Sequence, residues 1–327
     1  MREPSTCDEG RAVAADAPLA DRLAEAIECL QQASGMELRL DEPMAPHTSL
    51  GVGGVAAVFA IPHTVDAVCA AVRAAHRLAV PIMCVGRGTN LLVCEGGFAG
   101  ILLHVGEAFA AIETDGCRLT VQAGATLAEA CEAAANAGLA GLEFAAGVPG
   151  SVGGAVAMNA GAGGGQIGDV IEAIDVVHGD GGLGRCLHDS LDFGYRRSCL
   201  RDAKCIVVSV VFQLAQADPA AIRKAMFEAV ENRCRQQPLS LGSCGSVFKR
   251  PPNDYAGRLL ELAGVKGLRI GGARFSPKHA NFIVNEGNAT AQDIVDLIET
   301  AKRRVYEVSG VMLEEEVCVV GESPPTQ

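Results

Sequence analysis

The segment GVPGSVGGAVAMNAGAGGG (residues 147–165) has eight glycines in nineteen positions and no charged side chain before Asp169. A flexible linker can have this glycine content, but Val148, Val152, Val156 and Met158 are side chains that seek burial. Glycine lets another group approach the main chain closely and opens conformations with φ > 0. A second segment, GRGTNLLV (86–93), repeats the combination, with Thr89 and Asn90 adding a hydroxyl and an amide to Gly86 and Gly88. Exposed N–H groups in such turns form concavities that bind anions. Taken alone, GRGTNLLV also reads as an ordinary strand-to-strand turn. Two glycine-rich segments without acidic side chains together suit an extended, phosphate-bearing ligand threaded between them, its diphosphate held by main-chain N–H groups.

Around these segments, short β-like runs alternate with alanine-rich helices. VAAVFAIP, PIMCVG, GILLHV, RLTVQAG, EAIDVVHG and CIVVSVVFQLA read as strands. Thr64 opens the helix TVDAVCAAVRAAHRLA, Gly138 closes TLAEACEAAANAG, and Asp218-Pro219 opens a helix reaching Cys234. ADRLAEAIECLQQAS (20–34) and TAQDIVDLIETAKRRVYEVSG (290–310) have amphipathic helical spacing, residues 1–18 read as a frayed arm, and VMLEEEVCVVGE reads as a closing strand. Composition changes at Pro238. Residues 246–279 hold seven basic side chains against Asp254 and Glu261, a concentrated positive field in a chain of net charge −12. Such a field draws in an anionic small molecule, although a solvated basic face has the same composition.

The acidic balance and the absence of Trp exclude general nucleic-acid binding, which needs a basic footprint and stacking surfaces. A length of 327 residues suits two domains or one elaborate one. The thirteen cysteines are odd in number and form no CxxC pair, and no apolar run opens the chain, so reduced thiols in a cytoplasm are expected. No run is long enough to span a membrane. GVGGVA (51–56) fits a dinucleotide-binding pattern but precedes its strand instead of following it, and no Gly-Lys pair offers a phosphate loop. No HExxH occurs and the seven histidines are scattered, so no metal is expected.

Seven motifs in order, HTSLGVGG, GRGTNLLV, GLEFAAGVPGSVGGAVAMNAGA, FGYRRSCL, GSCGSVFKRP, RIGGARFSPKHANFIVN and VMLEEEV, carry a family resemblance. Over residues 36–322 the chain resembles the UDP-N-acetylenolpyruvoylglucosamine reductase (UDP-N-acetylmuramate dehydrogenase) family, and the order of its later motifs is similar to the shorter, type II-like architecture. The resemblance implies an α+β protein: an FAD-binding fold of the vanillyl-alcohol-oxidase/PCMH type with a C-terminal α+β substrate domain. The expected units are an unassigned arm and helix (1–35), an FAD-binding domain of two lobes (36–219), a substrate domain (220–312) and a closing strand and tail (313–327). Three positions depart from the family pattern. Gly163 stands where an aromatic is common, Thr89 keeps the hydroxyl of a common Ser, and Arg250 replaces a common Asn and adds a cation.

The implied reaction is NADPH-dependent, FAD-mediated reduction of UDP-N-acetylglucosamine enolpyruvate to UDP-N-acetylmuramate, for peptidoglycan synthesis. FAD is expected to be non-covalent and the chain monomeric or weakly homo-oligomeric. By resemblance, Ser246 is the proton donor, Arg196 holds the substrate carboxylate, and Glu316 is the catalytic acid. On an extended strand Glu314 and Glu316 share one face and Glu315 the other. The implied FAD contacts are Gly86, Arg87, Gly88, Thr89, Asn90 and Leu91 from the first segment. The second segment gives Gly147, Pro149, Gly150, Ser151, Gly153, Gly154, Asn159, Ala160 and Gly161. Tyr195, Lys249, Arg250, Lys278 and His279 are the implied substrate contacts. Another flavin oxidoreductase or oxidase of this fold, or a non-catalytic flavin-binding protein, would satisfy the glycine arguments equally well.

Overall fold

A computed structural model describes residues 17–200 and 203–321. The expected arm therefore lies almost wholly outside the described residues; the chain enters at the helix Leu19–Gln32. The long helices other than Leu19–Gln32 start where a side chain satisfies an otherwise free N–H. Thr64 Oγ1 accepts from Ala67 N–H at 3.2 Å, and Thr126 with Glu129 and Thr290 with Asp293 form reciprocal capping boxes. Gly310, at φ +71°, ends the helix Ala291–Ser309 in the left-handed conformation that favours glycine.

Three sheets organise the molecule. The first orders Met36–Pro43, Val55–Pro62, Phe98–His104 and Ile82–Val85, with one antiparallel edge pair and two parallel pairings. The second is antiparallel, in the order Leu183–Leu187, Ile171–Val177, Ile206–Gln213, Arg118–Gln122 and Ile112–Asp115. Ile206–Gln213 is buried at six of its eight positions, so it is covered on both faces, whereas Arg118–Gln122 alternates and buries only Leu119 and Val121. One continuous core joins these two sheets, and each fully buried side chain such as Phe212 or Ile174 contributes about 1.5–3 kcal/mol to it.

The third sheet, Gly242–Ser246, Phe282–Asn285, Ala273–Phe275 and Arg269–Ile270, packs with the helices Ala256–Leu262 and Ala291–Ser309 around a separate core. Leu50 and Val52 of HTSLGVGG, and Leu92 at the end of GRGTNLLV, insert into this second core. The helix Pro219–Gln236 buries only Ile222 and packs on Glu143–Ala145 and Leu127–Asn136 of the first half.

The closing segment departs from the continuous strand expected at VMLEEEVCVVGE. Its backbone changes partners midway. Glu314–Val317 runs along Val247–Lys249, with Lys249 N–H donating to Glu314 O at 2.8 Å and Glu316 N–H to Val247 O at 2.7 Å. Cys318–Val320 then pairs in parallel with Leu91–Val93 of the first half. One strand cannot follow two differently directed partners, so regular pairing is confined to Cys318–Val320. Among the described residues, no helix is long and apolar enough to cross a membrane.

Candidate active site

The two glycine-rich segments lie against each other, and the reason for several of their glycines differs from the expected one. A Cβ on Gly86 would fall 2.1 Å from Ser151 Oγ, one on Gly88 2.0 Å from the His47 carbonyl, and one on Gly153 2.8 Å from Ala123 Cβ. These three glycines make room for protein, not directly for a ligand. Thr89 Oγ1 donates to Pro149 O at 3.3 Å and ties the loops together. Leu91 is buried in the core, and the Ala160 N–H and C=O are taken up by Ala155 and Ile167.

A donor edge remains beside this junction. Among the described residues, the N–H groups of Arg87, Gly88, Thr89 and Asn90 have no protein acceptor, and added Cβ atoms on Gly163 and Gly164 would meet nothing within 4 Å. Gly150, at φ +138°, sits across from Thr89. An edge of unpaired N–H groups suits an anionic group such as the diphosphate of FAD.

The side chains of two asparagines expected at the cofactor are engaged by the protein itself. Asn159 donates to Gly194 O at 2.9 Å and to Gln166 Oε1 at 3.1 Å, while its Oδ1 accepts from Gly168 N–H at 2.8 Å. It thereby holds the turn that presents Tyr195 and Arg196, a turn closed by paired Gly194 and Arg197 main-chain bonds of 2.9 and 3.1 Å. Asn90 Nδ2 donates to the Glu316 carbonyl at 2.9 Å, and Cys318 N–H returns a bond to Asn90 O. The first glycine-rich loop thus fixes the position of the closing segment.

Arg196 Nε donates to Glu316 Oε1 at 2.5 Å, and Arg196 Nη2 to Gly161 O at 3.2 Å. Their side chains are only 20% and 13% exposed. Burial pushes the Glu316 carboxyl above the ordinary range, against the opposing pull of the Arg196 charge. Arg196 itself has φ +53°, which costs a non-glycine residue about 1–3 kcal/mol. Glu314 and Glu315 go elsewhere, to Lys249 and to Lys302. Arg197 pairs with Asp192 at the surface.

Ser246 ends the strand Gly242–Ser246, one residue before the carbonyl that accepts the Glu316 N–H. Its hydroxyl has no protein hydrogen-bond partner among the described residues. The backbone beyond it is clamped by buried Asn281, which accepts from Phe248 N–H at 3.0 Å and donates to Phe248 O at 2.8 Å. In the sequence, Asn281 of KHANFIVN reads as one more polar residue before a strand.

The basic block is largely neutralised. Lys249, Arg258, Lys266, Arg269 and Arg274 all have carboxylate partners, including Glu314 and Glu286 from outside the block. The expected concentrated field therefore shrinks to Arg250 and Lys278. Arg250 N–H donates to the Tyr195 hydroxyl at 3.2 Å, and its guanidinium stacks 4.4 Å from the centre of the exposed Tyr255 ring. Arg250 is therefore brought beside the Tyr195–Arg196 turn. Lys278 instead donates to Cys234 O at 2.6 Å on the wall of a separate cavity of about 400 Å³ that also borders Gln237, Leu239 and Glu286. Neighbouring His279 packs edge-on against Phe282, and burial lowers its pKa, favouring the neutral ring.

Comparison with known proteins follows the same division of the chain. Residues 56–187 match the FAD binding domain family, and residues 237–320 match the C-terminal domain of UDP-N-acetylenolpyruvoylglucosamine reductase. The reductase of that name from Heliobacterium modesticaldum is 44% identical over 283 residues, covering 86% of this chain and 90% of the relative. The one from Levilactobacillus brevis is 44% identical over 287 residues, covering 88% and 94%. The crystal structure of the Thermus caldophilus reductase superposes with a TM-score of 0.75 at 37% identity, covering 87% of this chain and 98% of that one. The α+β architecture with an FAD-binding fold, expected from the ordered motifs, is the architecture found. With nine-tenths of each relative matched and both halves accounted for, the chain belongs to the UDP-N-acetylenolpyruvoylglucosamine reductase family of FAD-dependent oxidoreductases.

Proposed function

We propose that this chain reduces UDP-N-acetylglucosamine enolpyruvate to UDP-N-acetylmuramate in the cytoplasm, for peptidoglycan precursor synthesis, with NADPH as electron donor. FAD, when bound, supplies the hydride chemistry between NADPH and the terminal vinyl carbon. The residues of the chain manage charge and protons around that transfer. The double bond gains a hydride at one carbon and a proton at the other, so negative charge develops next to the substrate carboxylate. Arg196 takes that carboxylate as its counter-ion. Arrival of a second anion beside Glu316 raises the pKa of an acid already raised by burial, so Glu316 keeps its proton and donates a hydrogen bond to the developing charge. Ser246 Oγ–H, uncommitted to any protein acceptor among the described residues, delivers the proton to the carbon.

The observation that carries this reading is the nearly buried Arg196–Glu316 pair, joined at 2.5 Å and set on the main chain adjoining Ser246. Its test is a sequential titration of the yellow protein. NADPH should bleach the flavin absorbance, and the enolpyruvyl nucleotide should restore it without oxygen. Colour returning only with oxygen would identify an oxidase, and no bleaching would identify a non-catalytic flavin carrier.

Two further outcomes follow from the site. Arg250 has no carboxylate partner among the described residues and is held against Tyr255, so its edge N–H groups are available to a nucleotide diphosphate. Arg250→Ala should raise KM for the nucleotide sugar about tenfold or more, the loss of a charged hydrogen bond being worth about 1.5–3 kcal/mol, with a smaller effect on kcat. An unchanged KM would remove Arg250 from the site. Second, FAD should be non-covalent. His47, the histidine beside the first glycine-rich loop, spends Nε2 on Glu42 at 2.8 Å and packs with its ring tilted against Phe59, centroids 4.3 Å apart. Acid precipitation should leave the yellow colour in the supernatant; colour in the pellet would contradict this.

A further inference from the structure

The helix Pro219–Gln236 meets the glycine-rich segment at one point of close approach. A Cβ built on Gly147 would stand 3.2 Å from Cδ of Arg233 and 3.5 Å from Cα of Val230. Glycine at this position lets the helix settle onto the loop and lays the Arg233 stem along its main chain. The Arg233 Nε is sealed from solvent and meets no acceptor. No ion pair among the described residues includes Arg233, although Arg223 and Arg235 of the same helix pair with Glu132 and Glu231. Burial pulls its guanidinium below the usual range. One turn further on, Gln237 Oε1 is likewise sealed and unpartnered.

A cation desolvated without a counter-charge lowers the stability of the chain that carries it. Among the described residues no carboxylate pairs with Arg233, but main-chain donors lie beside it. Gly147 continues into Pro149 and Gly150, which Thr89 ties to the unpaired N–H groups of residues 87–90. Guanidinium groups bind phosphate oxygens through paired N–H donors, and main-chain N–H groups complete such sites. We propose that Arg233 is the counter-charge for a diphosphate seated on the main chain at Gly147, and that this diphosphate is the one in FAD. The assignment rests on the FAD-dependent reading above and adds a residue to it.

The test compares wild type, Arg233→Met, which keeps the stem volume, and Arg233→Lys, which keeps the charge without the fork. FAD release from each holoprotein is followed by the fluorescence of free flavin on dilution. The Kd for FAD should rise about tenfold or more in Arg233→Met and less in Arg233→Lys. The thermal midpoint of flavin-free Arg233→Met should stay level or rise, because an unpaired charge has been removed; a purely structural arginine would lower it. UDP titrated into FAD-saturated protein, read from the flavin spectrum, should bind as in wild type. If UDP weakens and FAD does not, the diphosphate at Gly147 belongs to the nucleotide, and the assignment to FAD is overturned. FAD and UDP affinities that both stay at wild-type values in Arg233→Met overturn the proposal while leaving the functional reading intact. A wild-type chain unable to hold FAD overturns both.

Discussion

Ser246→Ala should fold, hold FAD and bleach with NADPH at close to the normal rate, yet recolour with the enolpyruvyl nucleotide about 10²–10⁴-fold more slowly, the usual cost of a lost general acid. The separation follows from where the proton is needed. Electron donation by NADPH asks nothing of Ser246, whereas the substrate carbon must receive a proton as charge builds on it. Substrate affinity should change little, because the hydroxyl acts in the transition state more than in the ground state. Ser246→Cys, which keeps a proton to give, should recover part of the rate. The control is Ser243→Ala in the same strand: the Ser243 side chain has no hydrogen bond among the described residues, and its main-chain carbonyl, which accepts from Ser49 Oγ at 2.7 Å, would survive the change. Stopped-flow traces in which Ser246→Ala recolours at the wild-type rate would falsify the assignment.

Arg196→Ala should lower kcat for substrate reduction about 10²–10³-fold, the range seen when one charge-stabilising donor is removed. The effect has two sources. The substrate carboxylate loses its cation, and Glu316 is left nearly buried without its hydrogen-bonded counter-charge, with only the weaker pull of Lys249. Arg196→Lys should restore part of the rate, because a point charge replaces the fork that spans Glu316 and Gly161. A pH series distinguishes this role from general damage. Burial already raises the pKa of Glu316, and the acid is useful only while protonated, so wild-type substrate reduction should decline as pH rises through that raised pKa. Glu316→Gln should be slow but lack that decline. Stability should follow the same sign. In Arg196→Ala the native state binds the Glu316 proton more tightly than the unfolded chain does, so the deficit against wild type should be largest at high pH and shrink as pH falls. A deficit independent of pH would argue that the pair is only structural.

Local chemistry made much of this fold legible in the sequence. Thr64 announces a helix because a cap needs only residues a few positions apart, and it caps as expected; Thr126 and Thr290 cap their helices by the same local rule. Leu119 and Val121 alternate with polar neighbours, and that alternation places a strand. What stayed hidden depends on partners distant in the chain. Nothing near Gly86 or Gly153 says that Ser151 and Ala123 will occupy the space beside them. Asn90 and Asn159 sit in glycine-rich contexts that suggest a ligand, yet their amides support Glu316 and the Gly194 turn. Counting charges in residues 246–279 could not foresee that Glu286 and Glu314 would cancel part of the field. The break in the closing strand was hidden for the same reason, since VMLEEEVCVVGE does not record that its two halves have different neighbours.

The change of partner at Glu316 also affects the order in which the protein can be made. During synthesis the first half emerges with Leu91–Val93 lacking its parallel neighbour, and the strand that fills the vacancy is translated only after the whole second module. Until then a short row of main-chain groups waits unpaired, the kind of edge that invites association between nascent chains. Arg196 waits as well, because the same late segment delivers Glu316. A ribosome-bound intermediate would therefore assemble its flavin loops before it could do chemistry. Cutting the gene between the modules would not yield two independent proteins, since the first would lack a strand and the second would lose the scaffold that aligns its acid.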